Sequence, residues 1–379
     1  MFDLVDDFMK IVVAVDSFKG SLTASQACEI ISDAFLKHDE SLEIICKPLA
    51  DGGEGTASIV LTAVKSKWID CDVMGPLPPV QVKAGFVWIE ETKTALIEMA
   101  SANGITLLKN HELNPLKAST YGTGQLIAEA LKYNPAKIYL AVGGSATVDC
   151  GIGAAMALGW KFLDENDKPV SLGGEAMVSV CTIAAPGAMR LPQFHVLCDV
   201  TNPLTGKNGA AYVFGPQKGA TPEMVKALDA GLCNIADITG RTLDKNIDVP
   251  GAGAAGGLAG GAMAFFEAKL VPGIEAVMNI IRFDDAIKGA DWIITGEGCF
   301  DSQSLNGKVV SGVIQKAKGT CAKVGIISGD CKVEAGEWRN CGGTDVGICR
   351  KQGMERDFAI SHAQELLEEC AGRFARTNF

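Results

Sequence analysis

The feature that most constrains the fold is a pattern that recurs five times along the chain. An apolar run typical of a buried β-strand is followed at once by a loop rich in acids, glycine and hydroxyl groups. The runs are residues 11–15, 43–47, 138–142, 195–198 and 292–294. Ligands of open α/β sheets bind just beyond the carboxyl ends of the strands, so the repetition predicts a shared binding site. For any single loop, the alternative is a solvent-facing turn that only begins a helix.

Helical periodicity lies between these runs and predicts alternating strands and helices. Thr23 and Gln26 fit a capping box, and Thr221 with Pro222 predicts another helix start. Strands near residues 11, 43, 292, 323 and 346 fit one doubly wound parallel sheet, which the strand at 138–142 could also join. The glycine-rich segment 251–257 is either a flexible linker or, as we favour, a loop that leads into a tightly packed helix.

A second domain is predicted from the change of pattern at Cys71. Turn-forming residues at 75–79 and a predicted β-hairpin over 86–97 are unusual in a doubly wound sheet. The prediction is therefore an α/β domain formed by residues 1–70 and 281–379, interrupted by an inserted α/β domain at 71–280. A chain of 379 residues also exceeds what one hydrophobic core usually serves.

Composition excludes several classes of function. A net charge of −11 argues against nucleic-acid and membrane-surface partners, since both need a basic face. The 13 cysteines form no CxxC pair and the four histidines are scattered, which excludes the usual zinc spacings and favours reduced thiols. No apolar run approaches the roughly 20 residues of a membrane span, and residues 1–8 are acidic where a signal peptide begins basic. We therefore expect a cytoplasmic protein.

The remaining polar residues indicate phosphoryl transfer, because no Walker A loop, Rossmann fingerprint in context or Gly-x-Ser-x-Gly elbow is present. Such chemistry needs mainly positioning and charge neutralisation by Mg²⁺, backbone N–H groups and basic side chains. The loop lysines that could face phosphate are Lys19, Lys207, Lys218 and Lys308, although each of them, taken singly, is more often a solvated surface charge. The carboxylates that could bind Mg²⁺ or accept a proton are Asp51, Glu54, Asp199, Glu297 and Asp301.

The loops at residues 51–54 and 143–145 each have a more specific interpretation. Asp51 and Glu54 could simply cap the helix that follows them. Gly143, Gly144 and Ser145 are expected to wrap an anion with their N–H groups at a helix start. The residues alone leave the division of catalytic roles open.

Nine segments, in this order along the chain, resemble the bacterial glycerate kinase type-1 family. They are DSFKGSL at 16–22, ADGGEGT at 50–56, YGTG at 121–124, GGSAT at 143–147, CDVTNPL at 198–204, FGPQKGA at 214–220, GAGAAGG at 251–257, TGEG at 295–298 and DSQS at 301–304. The resemblance covers residues 9 to about 375. It implies a flavodoxin-like domain with a second α/β domain inserted and an active site in the cleft between the domains.

The resemblance also implies an activity: phosphorylation of D-glycerate by ATP with Mg²⁺, usually at the 2-hydroxyl, giving 2-phosphoglycerate and ADP. For this activity, our hypothesis is that Asp199 is the base near the substrate hydroxyl and that Lys19 and Asp301 are the other catalytic residues. Substrate- or nucleotide-binding residues are Asp16, Ser17, Asp51, Gly52, Gly53, Glu54, Gly143, Gly144, Ser145, Asn202, Lys218, Glu297, Ser302 and Lys308. Glu297 and Asp301 are the predicted metal ligands. Glycerate and ATP are the expected partners, and assembly into a homo-oligomer stays open.

Four positions differ from the family's usual pattern. One is Pro78, where glycine is common, and the other three keep two alternatives open. Cys299 stands where arginine is usual, Val148 where asparagine is usual and Cys150 where glycine is usual. Losing a guanidinium beside Glu297 removes a bidentate clamp for phosphate or carboxylate, and Arg282 is a candidate to replace it. The alternatives are a kinase for another small 2-hydroxy acid and a non-catalytic ligand-binding or sensor protein.

Overall fold

A computed structural model describes residues 8–53, 55–187, 190–302, 304–305 and 308–379. The chain divides into two units. The first unit is Met1–Asp51 with Ile274–Phe379, and the second is Gly52–Gly273. The predicted interruption is thus present, but the second unit begins at Gly52 rather than at 71 and ends at Gly273 rather than at 280. The helix after Gly55 groups with the second unit because its Ala57 N–H donates to the Glu98 carboxylate, over 2.8 Å.

The strands are β1 (Lys10–Val13), β2 (Glu43–Cys46), β3 (Lys67–Met74), β4 (Gln81–Ile89), β5 (Thr94–Glu98), β6 (Lys137–Ala141), β7 (Lys161–Leu163), β8 (Thr182–Ala184), β9 (Gln193–Leu197), β10 (Lys269–Val271), β11 (Trp292–Thr295), β12 (Cys299–Phe300), β13 (Lys323–Ser328), β14 (Asp330–Cys331) and β15 (Asp345–Ile348). The α-helices are α1 (Ala24–Leu36), α2 (Thr56–Ala63), α3 (Met99–Asn103), α4 (Tyr121–Leu131), α5 (Ile152–Ala157), α6 (Ala210–Phe214), α7 (Pro222–Leu243), α8 (Leu258–Phe265), α9 (Gly273–Ile280), α10 (Phe283–Ala286), α11 (Val309–Ala317), α12 (Ala335–Cys341), α13 (Arg356–Ser361) and α14 (Ala363–Asn378).

The first unit is built on a parallel sheet in the order β15-β13-β11-β1-β2. Counted along this unit, its strands follow the 2-1-3-4-5 order of flavodoxin-like sheets, which confirms the predicted doubly wound domain. Apolar side chains of α1 and α14 cover one face of the sheet, where Phe35 and Phe374 stack at a centroid distance of 6.3 Å. The predicted capping box forms, since Thr23 and Gln26 bond reciprocally at the start of α1.

The second unit contains a mixed sheet in the order β10-β9-β6-β5-β4-β3. Strands β3, β4 and β5 pair antiparallel, which confirms the predicted hairpin, whereas β5, β6, β9 and β10 are parallel. The strand predicted at 138–142 is β6 of this sheet and does not join the first. Long apolar strands and small-residue helices form its core, and segment 251–257 leads directly into buried α8 as favoured.

Helix starts in the second unit follow the sequence signals. Thr221 caps α7 by accepting a hydrogen bond from Met224 N–H at 3.3 Å, and Pro222 occupies the first helical position. Among the described residues, no helix is long and apolar enough to cross a membrane.

Candidate functional site

The strand order of the first unit reverses direction between β1 and β11, and two predicted site loops begin at this point. Asp16 N–H donates to the Gly296 carbonyl at 2.8 Å, so the loops that follow β1 and β11 start side by side. Gly296 is required here because a Cβ atom on it would lie 1.7 Å from the Ile327 carbonyl oxygen of β13. Asp16 and Glu297 are therefore held at the carboxyl edge, where ligands of such sheets bind.

The surroundings of these two carboxyl groups disfavour their charged forms. Burial, and then the neighbouring Asp51 carboxylate, raise the pKa of Asp16 to about 6. Burial also raises the pKa of Glu297; Asp16 adds to this effect, while the Ser304 hydroxyl and Lys308 oppose it. Glu297 Oε1 is buried and has no hydrogen-bond partner among the described residues. A cation or a hydrogen-bond donor on a ligand would relieve both groups.

The donor set at this edge suits Mg²⁺ that arrives with phosphate groups. The described residues contain no group of three or more His, Cys, Asp or Glu side chains able to hold a metal by themselves. Mg²⁺ commonly takes only one or two protein carboxylates and completes its shell with phosphate and water oxygens. The buried Oε1 of Glu297 is an oxygen that could serve in this way. Asp301 lies near enough to raise the pKa of Glu297, and its N–H donates to Ser304 Oγ at 3.0 Å.

A cavity of about 370 Å³ opens at this edge. Its polar and charged lining residues are Asp16, Ser17, Lys19, Ser21, Glu297, Lys308, Asp330, Lys332, Arg350 and Arg356. The structure thus brings together five of the predicted site residues, whereas Asp51, Asp301 and Ser302 are outside the lining. Sequence reasoning missed Asp330 and Arg350, although both follow strand ends, as the other candidates do. Applying the same rule to β13 and β15 would have found them.

The cavity also bears on the departure at position 299. Cys299 is among its lining residues, whereas Arg282, the candidate to supply the lost guanidinium, is not. Arg350 and Arg356 are the two arginines that line the cavity, and the guanidinium of Arg350 is held by two hydrogen bonds. Its Nη1 donates to Asp330 Oδ2 over 2.8 Å, and its Nε donates to the Met354 carbonyl over 2.8 Å.

In the second unit, predicted residues lie at the carboxyl ends of the parallel strands. The loop after β9 presents Asp199 at the surface, where its Oδ1 accepts a hydrogen bond from Gly273 N–H at 2.9 Å. Gly52 lies beside the same glycine, since a Cβ atom on it would stand 2.7 Å from Gly273 Cα. Gly52 also has φ +86°, so an L side chain is disfavoured there twice over.

The loop after β6 differs from its predicted geometry. Gly143, Gly144 and Ser145 do not stand at a helix start, because α5 begins only at Ile152. The loop instead packs back on the chain: the Gly144 carbonyl accepts the Ile105 N–H at 2.8 Å. Half-buried Gly143 and exposed Gly144 follow the strand directly, so their backbone remains accessible to a ligand.

Lys218 organises this loop from the protein interior. It is 2% exposed, and its Nζ donates to Ser145 Oγ at 2.6 Å and to the Thr147 carbonyl at 2.8 Å. Burial lowers the pKa of Lys218 to about 7, and the buried Asp149 carboxylate opposes this effect. When Lys218 is protonated, its ammonium group has only donors, so Ser145 Oγ accepts in this bond and its own proton is left to donate elsewhere.

Three other predicted residues of this unit are Asn202, Lys207 and Glu54, of which the structure describes the first two. Asn202 serves the loop itself, since its Nδ2 donates to the Asn208 carbonyl at 2.8 Å and its own carbonyl accepts N–H groups of Gly251 and Gly253. Lys207 is an exposed surface lysine. Glu54 lies outside the described residues, so its predicted role as cap or ligand stays a prediction.

We expect Lys218 to give the second unit a distinctive pH dependence of stability. Its folded pKa is below the ordinary 10.5, so between pH 7 and 10.5 the unfolded chain binds a proton that the folded chain does not. The contribution of Lys218 to the free energy of unfolding should therefore rise with pH in this window, by at most about 1.4 kcal/mol per pH unit. Urea unfolding from pH 7 to 9 should give a slope of unfolding free energy against pH that is more positive in the wild type than in Lys218→Met.

The matched control is Lys226→Met, which removes an exposed lysine from α7. It should retain the slope of the wild type. Equal slopes for wild type and Lys218→Met would mean that Lys218 is not buried as described.

Comparison with known proteins decides the family. The model of the glycerate kinase family matches residues 11–378. The chain belongs to the glycerate kinase family. A protein named glycerate kinase from Haemophilus influenzae is 42% identical over 93% of this chain and 92% of its own length. A protein named glycerate 2-kinase from Escherichia coli K12 is 38% identical over 96% of this chain and 93% of its own length.

A solved structure agrees with this assignment. The crystal structure of a protein provisionally named glycerate kinase 2 from Salmonella typhimurium LT2 has a TM-score of 0.87 and 37% identity, covering 98% of each chain. Membership of the glycerate kinase family confirms the resemblance inferred from the motifs and makes the chain an enzyme that transfers a phosphoryl group. Two departures from the family's usual pattern lie in the core, because Val148 and Cys150 are both 0% exposed.

Proposed function

We propose that this protein transfers the γ-phosphoryl group of ATP to the 2-hydroxyl of D-glycerate, with Mg²⁺, and releases 2-phosphoglycerate and ADP. One observation carries the proposal: five of the nine motif segments, those that begin at residues 16, 50, 143, 198 and 295, stand at the carboxyl ends of parallel strands in the two units, on the edges where α/β sheets bind ligands. The 2-hydroxyl is proposed on the likeness to the Escherichia coli relative named glycerate 2-kinase.

The first unit has the groups that a phosphate-bearing donor requires. Lys19 and Lys308 line the cavity beside Asp16 and Glu297, so cations and carboxylates are available at one edge. When Mg²⁺ is bound, it neutralises phosphate charge during transfer. Glu297 and Asp301 are the proposed protein ligands, and the unpartnered Glu297 Oε1 is the atom best prepared for this role.

The second unit has the group proposed to act on the acceptor. Asp199 is exposed at a strand end, and the Gly273 N–H fixes one of its oxygens. A carboxylate held in this way can accept the proton of the attacking hydroxyl as the bond to phosphorus forms. Ser145, whose oxygen accepts from Lys218 and whose own proton is then available, is the proposed donor to an anionic oxygen of the substrate.

The alternatives of a different 2-hydroxy acid and of a non-catalytic binding protein receive less support. The burial of Val148 and Cys150 removes two of the three sequence differences on which a loss of catalysis was argued. Cys299 lines the cavity and is the one difference placed to affect a ligand.

The test is an assay that couples ADP release to a spectroscopic signal, with D-glycerate, L-glycerate and a panel of other 2-hydroxy acids. We expect turnover that requires ATP, Mg²⁺ and D-glycerate together. Product NMR should show phosphorus on the oxygen of C2. Binding of D-glycerate without product would support the non-catalytic alternative. A phosphoryl group on the oxygen of C3 would show that the enzyme attacks with the 3-hydroxyl instead.

A further inference from the structure

We propose that the cavity of the first unit is the nucleotide site, where Arg350 is a binding residue that meets the phosphates and the purine base lies on the apolar wall formed by α13 and α14. This inference rests on the proposed function, since it names the place of its donor. It adds residues that none of the family motifs contains. Four observations support it.

The first observation is the charge of the lining. Five basic side chains face three carboxylates; the basic residues are Lys19, Lys308, Lys332, Arg350 and Arg356, and the acids are Asp16, Glu297 and Asp330. The chain as a whole carries a net charge of −11, so this local excess of cations is opposite in sign to the rest of the molecule. A concave site of this kind attracts a polyanion.

The second observation is an apolar wall on the same cavity. Phe18 from the loop after β1 and Leu366 from α14 are buried, whereas Ile360 and Ala363 are half-buried and so present accessible apolar surface. A three-carbon acid has no apolar surface to place there. A nucleotide does, because a purine base has a flat apolar face at a distance from its charged phosphates.

The third observation is size and place. A volume of about 370 Å³ lies within the range of roughly 300–1,000 Å³ typical of pockets for drug-sized ligands, and is much larger than glycerate needs. The cavity opens between the loops after β1 and β11, where the strand order reverses. In sheets of this order, nucleotide-like ligands bind at that point.

The fourth observation is that hydrogen bonds to protein oxygens already fix the guanidinium of Arg350. Asp330 and the Met354 carbonyl fix its guanidinium from two sides, and its own N–H donates to the Gly329 carbonyl at 2.9 Å. About a third of the side chain remains exposed, at 34%. A guanidinium has five N–H donors, so these two side-chain bonds leave others for phosphate oxygens.

The experiment measures nucleotide binding and turnover separately on the full chain. ATP binding is measured by calorimetry without D-glycerate, on wild type, Arg350→Met and Arg376→Met. We expect Arg350→Met to weaken ATP binding about tenfold or more, because a charge-assisted bond is lost, and to leave the KM for D-glycerate unchanged. Arg376→Met removes an exposed arginine from the far end of α14 and should change neither value.

A second measurement uses the wild type alone and is independent of how the variants fold. Cys299 lines the cavity and Cys181 is an exposed thiol of the second unit. Alkylation followed by peptide mass mapping should show that ATP slows modification of Cys299 and leaves the rate at Cys181 unchanged. Inorganic triphosphate should protect Cys299 less than ATP at the same concentration, because it lacks the base.

The outcomes separate the inference from the proposed function. Protection of Cys299 by ATP in a protein that does not phosphorylate glycerate would support the nucleotide site and overturn the proposed activity. ATP-dependent turnover with no protection of Cys299, and with ATP binding unchanged in Arg350→Met, would overturn the nucleotide site alone. Protection by D-glycerate in place of ATP, or equal protection by triphosphate, would overturn the assignment of the base to this wall.

Discussion

Asp199→Asn should lower kcat by about 10²- to 10⁴-fold while the protein stays folded. The substitution keeps an oxygen that can accept the hydrogen bond from Gly273 N–H, so the loop after β9 should hold its position. An amide cannot take the proton of the substrate hydroxyl, however, so the loss should fall on turnover rather than on KM. The coupled assay and a thermal melt measure the two properties.

The control is Asp237→Asn, which neutralises an exposed carboxylate of α7 in the same unit. It changes the net charge equally and should leave kcat within about twofold of the wild type. If Asp199→Asn behaves like this control, Asp199 is not the base and another carboxylate must be sought.

Gly296→Ala should abolish most activity and destabilise the first unit by about 3 kcal/mol or more. The added Cβ would meet the Ile327 carbonyl oxygen at 1.7 Å, a contact that only a shift of the backbone can relieve. That shift separates the ends of β11 and β13 and displaces the adjacent Glu297. Denaturant unfolding, ATP binding and turnover should all report the change.

Gly336→Ala is the matched control in the same unit. Its Cβ would meet nothing within 4 Å, and Gly336 lies within helix α12, so alanine should stabilise by about 0.5–1 kcal/mol. Near-normal stability and activity in Gly296→Ala would show that the ends of β11 and β13 are farther apart than described.

The order of elements was largely predictable because its signals are local. The alternating apolar runs, the capping box at Thr23 and the Thr221–Pro222 helix start all appear where expected. Boundaries were less predictable. The second unit begins at Gly52 because long-range contacts assign α2 and β3 to it, through the bond of Ala57 to Glu98 and the pairing of β3 with β4. No local pattern contains that information.

The candidate site was predictable in its strand-end residues and not in its surroundings. Asp16, Lys19, Glu297 and Lys308 were found because each follows a strand in a polar loop, and the structure places them on one cavity. The strand-end rule could also have found Arg350, but the orientation of its guanidinium could not be predicted, since it depends on a bond to Asp330 in a different loop.

The sequence by itself determined the family, the alternation of strands and helices, and the loops that carry chemistry, because these are properties of short segments read in order. Only the tertiary structure decided which of those residues meet. Lys218 and Ser145 are 73 residues apart in the chain, yet they are joined by a bond of 2.6 Å inside the second unit. Of the four loop lysines predicted from the sequence, Lys218 is buried, and its burial lowers its pKa to about 7. The sequence could not show this, because desolvation depends on packing around the whole side chain.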